Sequence, residues 1–122
     1  MKINNLTLVH GGLTNKIDLD NLSNKDKKVI LRLRYLQEDN VISHTAHKNI
    51  YNKHWANLYN GNQGVIIYGH EVYDEVKYDQ FAIGIYTGCV YGNKLTALVV
   101  FDTNNALNNH DIVQINSKNY LL

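Results

Sequence analysis

Phe81-Ala82-Ile83-Gly84-Ile85-Tyr86-Thr87-Gly88-Cys89-Val90-Tyr91 alternates with a period of two, the spacing of a β-strand. Phe81, Ile83, Ile85 and Cys89 share one parity and read as the core side, which makes Cys89 a packing residue and not a nucleophile. Gly92-Asn93 then supplies a two-residue turn, and residues 94–101 run back, so the pattern predicts a hairpin. Residues 65–68 and 72–78 read as further strands. Residues 112–115 and 119–122 read as a short closing hairpin across Asn116-Ser117.

Toward the N-terminus the period changes. Residues 3–9 form a lead strand closed by Gly11-Gly12. Residues 24–38 predict a helix, capped by Ser23 or Asn24, with Asp26 in the first turn where its charge suits the dipole. Val29, Ile30, Leu33 and Leu36 fall on one face, and Leu31 and Tyr35 on the other. The stretch Leu31-Arg32-Leu33-Arg34-Tyr35 also alternates, so a strand competes there. Residues 45–60 predict a second helix with a Tyr51, Trp55, Leu58 stripe, ended by Asn60-Gly61-Asn62. Strands grouped after two short helices give the α+β class: one domain over residues 1–122, with the helices packed on a largely antiparallel sheet.

The 122 residues fit one domain of ordinary size. With 44% hydrophobic residues, 19% charged residues and one cysteine, the chain is neither a disordered tail nor a disulfide scaffold. No apolar run is long enough for a membrane span, and Met1-Lys2-Ile3-Asn4-Asn5 has no signal-peptide core, which places the chain in a cytoplasm. Twelve Lys and Arg against eleven Asp and Glu leave a net charge of +1, with only two arginines. Coating a nucleic acid needs clustered cations, so no nucleic-acid partner is expected. The 18 asparagines and the absence of proline suit an AT-rich coding genome, that of a low-GC bacterium or its phage.

Candidate chemistry is sparse. His44 and His47 share a helical face and would need His10, His70 or His110 to complete a zinc site; as amphipathic margin residues they need no metal. Glu71, Asp74, Glu75 and Asp79 lack calcium-loop spacing and read as a solvated edge. No Walker loop, dinucleotide fingerprint or serine elbow is present. The parity Ala82, Gly84, Tyr86, Gly88, Val90 is more suggestive: two glycines flank Tyr86 and would leave its ring over bare sheet for a flat base. Arg32 or Arg34 would clamp a phosphate in a bidentate fork, and Tyr91 adds a second phenol.

Size, the lead strand at residues 3–9, two short helices and a Tyr- and Gly-rich β half together resemble the Thoeris anti-defence sponges of phages. That resemblance implies capture of a cyclic ADP-ribose-type signal without chemistry, by an oligomer with pockets near subunit contacts. The expectation is therefore a non-catalytic counter-defence protein that sequesters a small nucleotide. Its ligand-binding residues would be Tyr86, Gly84, Gly88, Arg32, Arg34 and Tyr91, with no cofactor, no metal and no membrane partner. The alternative is an anti-CRISPR-type inhibitor that docks on a host nuclease through an aromatic patch.

Overall fold

The computed structural model describes residues 1–37 and 52–118. It is an α+β arrangement, and four of the six strand pairings among the described residues are antiparallel. The centre of the main sheet is different. β2 (Leu6–Leu8), β5 (Val65–Tyr68) and β7 (Ala82–Gly84) lie side by side and parallel. β1 (Lys2–Ile3) and β6 (Lys77–Asp79) close the two edges antiparallel, in the order β1-β2-β5-β7-β6.

A strand inside a sheet covered on both faces reads as a continuous apolar run. Val65-Ile66-Ile67-Tyr68 is such a run, and all four residues are buried. Ile66 and Tyr68, with Ala82, face a layer that holds Leu13, Val29, Leu33, Leu36, Trp55 and Tyr59. Val65 and Ile67, with Leu6 and Ile83, face a second layer containing Ala106, Leu98 and Val100. Each fully buried aliphatic side chain of this kind contributes roughly 1.5–3 kcal/mol.

The first layer is built from α1 (Asn24–Arg32), the antiparallel pair β3 (Tyr35–Gln37) and β4 (Asn52–His54), and the one-turn helix α2 (Trp55–Leu58). Ser23 caps α1 as expected: its hydroxyl accepts from the Asp26 amide at 3.1 Å, and the Asp26 carboxylate accepts from the Ser23 amide at 3.0 Å. The second layer is a two-stranded ribbon, β8 (Lys94–Val100) and β9 (His110–Asn116), in register from Lys94↔Asn116 to Val100↔His110.

Several boundaries differ from the sequence expectation. The lead strand breaks into β1 and β2 because Asn4 turns the chain at φ +52°. The helix at 24–38 stops at Arg32, since Tyr35–Gln37 pairs with Asn52–His54 and sheet pairing outcompetes helical propensity there. The helix expected at 45–60 is a strand at Asn52–His54 and helical only at Trp55–Leu58 among the described residues. The strand expected at 72–78 is confined to Lys77–Asp79. His44, His47, the first part of that second helix and the strand at 119–122 lie outside the described residues.

The long strand at 81–91 is the main correction. It ends at Gly84, and residues Cys89–Tyr91 form a 3-10 turn between Gly88 at φ +71° and Gly92 at φ +93°. The chain leaves the sheet there because only glycine enters the left-handed region without strain. Residues 94–100 therefore pair along their length with β9, and meet 81–91 at an isolated bridge between Gly88 and Lys94. Among the described residues no helix is long and apolar enough to cross a membrane.

Candidate functional site

In sheets with parallel strands, ligands bind in the crevice beyond the carboxyl ends. The three parallel strands end on the same side here. Beyond β2 come Val9, His10, Gly11 and Gly12; beyond β5 come Gly69 and His70; beyond β7 come Ile85 and Tyr86. Backbone bonds prolong the sheet into these segments. Val9 N–H donates to Ile67 O at 3.0 Å, Gly69 N–H to His10 O at 3.0 Å, and Ile85 N–H to Tyr68 O at 3.0 Å.

A cleft of about 620 Å³ opens at this end. His10, Gly69, His70 and Tyr86 form its sheet side, Arg34 enters from the link between α1 and β3, and Tyr91, Lys94 and Leu95 form the ribbon side. A side chain at Gly69 would find only 3.8 Å contacts, to His10 O and Tyr86 Cβ, so bare backbone faces the cleft there. The imidazoles of His10 and His70 lie 5.0 Å apart between centroids, tilted by 55°.

Local glycine chemistry explains how His10 reaches this position. The amides of Gly11 and Gly12 both donate to Ile30 O, at 2.7 and 3.2 Å, so the segment after His10 lies against the last turn of α1. A Cβ on Gly11 would sit 2.9 Å from Arg32 N and Ile30 O, and one on Gly12 would sit 2.5 Å from Trp55 Nε1. His70 occupies the left-handed region at φ +67°, and Glu71 N–H donates across it to Gly69 O at 2.8 Å. A three-residue turn of positive φ on a residue other than glycine is strained, on the order of 1–3 kcal/mol.

Electrostatically the cleft suits an anion. Arg34 carries a guanidinium, and Lys94 adds an ammonium shared with the exposed Glu75 carboxylate. The His70 imidazole is held below its ordinary range, first by loss of water and then by the neighbouring Arg34 and His10. It is therefore neutral at pH 7, with one ring nitrogen hydrogen-bonded to the Arg32 carbonyl. No group of three potential metal ligands converges among the described residues.

Of the residues singled out from the sequence, Tyr86, Arg34 and Tyr91 line the cleft. Gly84, Gly88 and Arg32 lie outside its lining. The space beside Gly84 is filled by the protein's own Tyr68 and Tyr73, where a Cβ would meet Tyr68 Cζ at 2.8 Å and Tyr73 Cε2 at 3.0 Å. Gly88 serves the left-handed turn and packs on Val72. Tyr86 is thus not a ring above bare sheet; it stands past the strand end, on the wall of the cleft. Cys89 is half-buried in the 3-10 turn at the cleft, and not in the core.

Sequence reading missed His10 and His70 as a pair. The available signal was local: each stands two residues past an apolar strand and has glycine beside it, in Val9-His10-Gly11-Gly12 and Tyr68-Gly69-His70.

No protein-family model and no curated protein matches the sequence. The fold is similar to that of a crystal structure of a “putative diadenosine tetraphosphatase”, with a TM-score of 0.69 and 22% identity over 96% of this chain and 49% of that one. The chain thus spans about half the length of the solved structure it matches, and at this identity the likeness is one of fold.

Proposed function

We propose that the cleft beyond β2, β5 and β7 captures the phosphate portion of a nucleotide. The observation that carries this is the convergence of Arg34, His10, His70 and Tyr86 from four separate segments on one crevice. Arg34 suits bidentate phosphate binding, the bare backbone at Gly69 allows close approach, and Tyr86 and Tyr91 offer flat faces to a base. The name of the structural neighbour, which refers to a dinucleoside polyphosphate, supports the same ligand class. Sequestration of a nucleotide signal, as in the Thoeris anti-defence sponges, is the biological setting of this reading.

Calorimetry of the purified protein against diadenosine tetraphosphate, ADP and cyclic ADP-ribose tests it. The expected result is saturable binding of at least one of them. Arg34→Ala should weaken it about tenfold or more, the size of a lost charge-assisted bond (~1.5–3 kcal/mol). Tyr86→Ala should weaken it by ~1–3 kcal/mol if a base stacks there. Absence of binding at millimolar ligand, or binding indifferent to both substitutions, overturns the proposal.

A second reading, hydrolysis of the phosphate chain, is favoured by the two facing imidazoles and by the enzyme name of the neighbour. Chromatography of the ligand after incubation with divalent cations separates the two. Capture returns it intact, whereas hydrolysis releases smaller nucleotides.

We also propose that the binding form is a homo-oligomer. Leu95, Val99, Phe101, Val113 and Ile115 stand exposed on the outer face of the ribbon. That apolar face continues from the cleft rim at Tyr91 and Leu95, so a second copy seated on it would lie across the cleft mouth. Sedimentation velocity should show a species larger than the monomer, and Leu95→Lys with Val113→Lys should return it to monomer. A wild-type monomer at 100-fold dilution steps up to the solubility limit overturns this.

A further inference from the structure

His70 faces the cleft, but the next residue, Glu71, directs its carboxylate to three donors, the half-buried Tyr35 and Tyr73 and the buried His54. The Tyr35 hydroxyl, from β3, donates to Glu71 Oε1 at 2.9 Å. The Tyr73 hydroxyl donates to Oε2 at 2.9 Å. His54 Nε2, from the end of β4, lies 3.1 Å from the same Oε2. Three donors from three segments thus hold one carboxylate, and that carboxylate belongs to the residue that closes the strained turn at His70.

A carboxylate and a histidine in contact invite a different reading, an acid–base pair. The hydrogen bonds argue against it. His54 Nδ1 accepts from Ala56 N–H at 3.3 Å, so the ring proton is on Nε2 and is already directed at Glu71 and the Tyr73 oxygen. Neither ring nitrogen is left to take a proton from a substrate. The cluster is an anchor.

We propose that Glu71, clamped by Tyr35, Tyr73 and His54, is a positioning residue that holds His70 against His10 in the cleft. A three-residue turn with a non-glycine residue at φ +67° relaxes unless the surroundings fix both of its ends. One end is fixed by Gly69 N–H on His10 O. The other end is fixed by the Glu71 carboxylate. The His10 imidazole, the Arg34 guanidinium and the Arg32 carbonyl act on the His70 ring, and the Glu71 carboxylate, held on its other partners, acts on it through space. Removing the Tyr35 and Tyr73 hydroxyls leaves these in place and frees only the turn.

The consequence for ligand capture rests on the phosphate-binding reading, whereas the positioning itself is a matter of ring geometry and is read without a ligand. The experiment is NMR of histidine-labelled protein. Wild type should show cross-relaxation between the ring protons of His10 and His70, whose centroids are 5.0 Å apart. Glu71→Ala should abolish it. The double variant Tyr35→Phe with Tyr73→Phe keeps the carboxylate and removes two of its donors, so it should do the same with a smaller risk to folding. Far-UV circular dichroism and Trp55 fluorescence report whether each variant is folded.

In the same variants, affinity for diadenosine tetraphosphate should fall about tenfold or more, since small misplacements of a binding group have effects of that order. Folded variants that retain the wild-type ring contact overturn the positioning role. Loss of the ring contact in the variants, with a wild type that binds no nucleotide, refutes the proposed function and leaves the positioning role standing.

Discussion

Trp55→Ala is expected to lower the stability of the fold by about 3–5 kcal/mol, the usual cost of removing a large aromatic from a closed core. The indole is fully buried, at 0% exposure, within the cluster that holds Leu13, Val29, Leu33 and Leu36. Its ring lies 4.9 Å from that of Tyr68 on the central strand and 6.0 Å from that of Tyr59. Its backbone amide donates to Arg34 O at 3.0 Å, and its ring packs directly on Gly12. The side chain therefore ties β5, Tyr59 and the segment behind His10 to the same point, while the backbone bond to Arg34 survives the substitution. Removing it leaves a cavity that none of these can fill without shifting, because each is also held by backbone hydrogen bonds. Small domains have ~5–15 kcal/mol in total, so the loss is a large share of what holds the protein together. Urea unfolding followed by circular dichroism measures it. A loss below about 1 kcal/mol would mean that the indole is not the keystone this packing describes.

What the sequence revealed and what it hid follow from the range of the interactions. The cap at Ser23 and Asp26 was legible because donor and acceptor are three residues apart. The run Val65-Ile66-Ile67-Tyr68 was legible because burial on both faces leaves no polar position. The strand at residues 94–100 was legible, but its partner was not: it pairs with β9 and not with residues 81–91 as a hairpin. The end of β7 was hidden. Ile85 and Tyr86 keep the alternation of the strand, and only the positive φ of Gly88 and Gly92 reveals that the chain has turned away. Parity then placed Gly84 and Tyr86 side by side over open sheet, whereas Tyr68 and Tyr73 occupy that ground.

The histidine pair was hidden more deeply. Nothing near His10 specifies that β2 will lie parallel to β5, with Leu8 opposite Ile67. That pairing depends on two buried faces being covered at once, by Trp55 and its neighbours on one side and by the ribbon on the other. A cleft made at the ends of parallel strands is a property of topology, and single-chain periodicity carries no topology. What the sequence contains is residue chemistry: of the six residues it suggests for phosphate and base, Arg34, Tyr86 and Tyr91 line the cleft, and Arg32, Gly84 and Gly88 do not.

Stability should fall steeply as the pH is lowered from about 6.5 to about 4, and His54 is the group responsible. Its imidazole is buried at 7% exposure, and burial, with a smaller push from Lys77, lowers its pKa from 6.5 to about 4; Glu71 and Asp79 oppose that without overcoming it. The sign follows from proton counting. Between pH 4 and 6.5 the unfolded chain binds a proton at this residue and the folded protein does not, so acid favours the unfolded state. Above pH 6.5 both states are neutral there and the contribution is fully present. At ~1.4 kcal/mol per pH unit, a drop from 6.5 to about 4 corresponds to about 3 kcal/mol. His70 shifts in the same direction, but its ring lies at the open cleft, so its share is small. Urea unfolding at pH 7.5, 5.5 and 4.5 should show the decline in wild type and a flatter profile in His54→Gln, which cannot titrate. The variant starts lower, because the bond from Ala56 N–H is lost, and the two curves should converge toward pH 4. A wild-type profile flat across this window would mean that the imidazole is hydrated in solution, and the clamp on Glu71 would then lack its third donor.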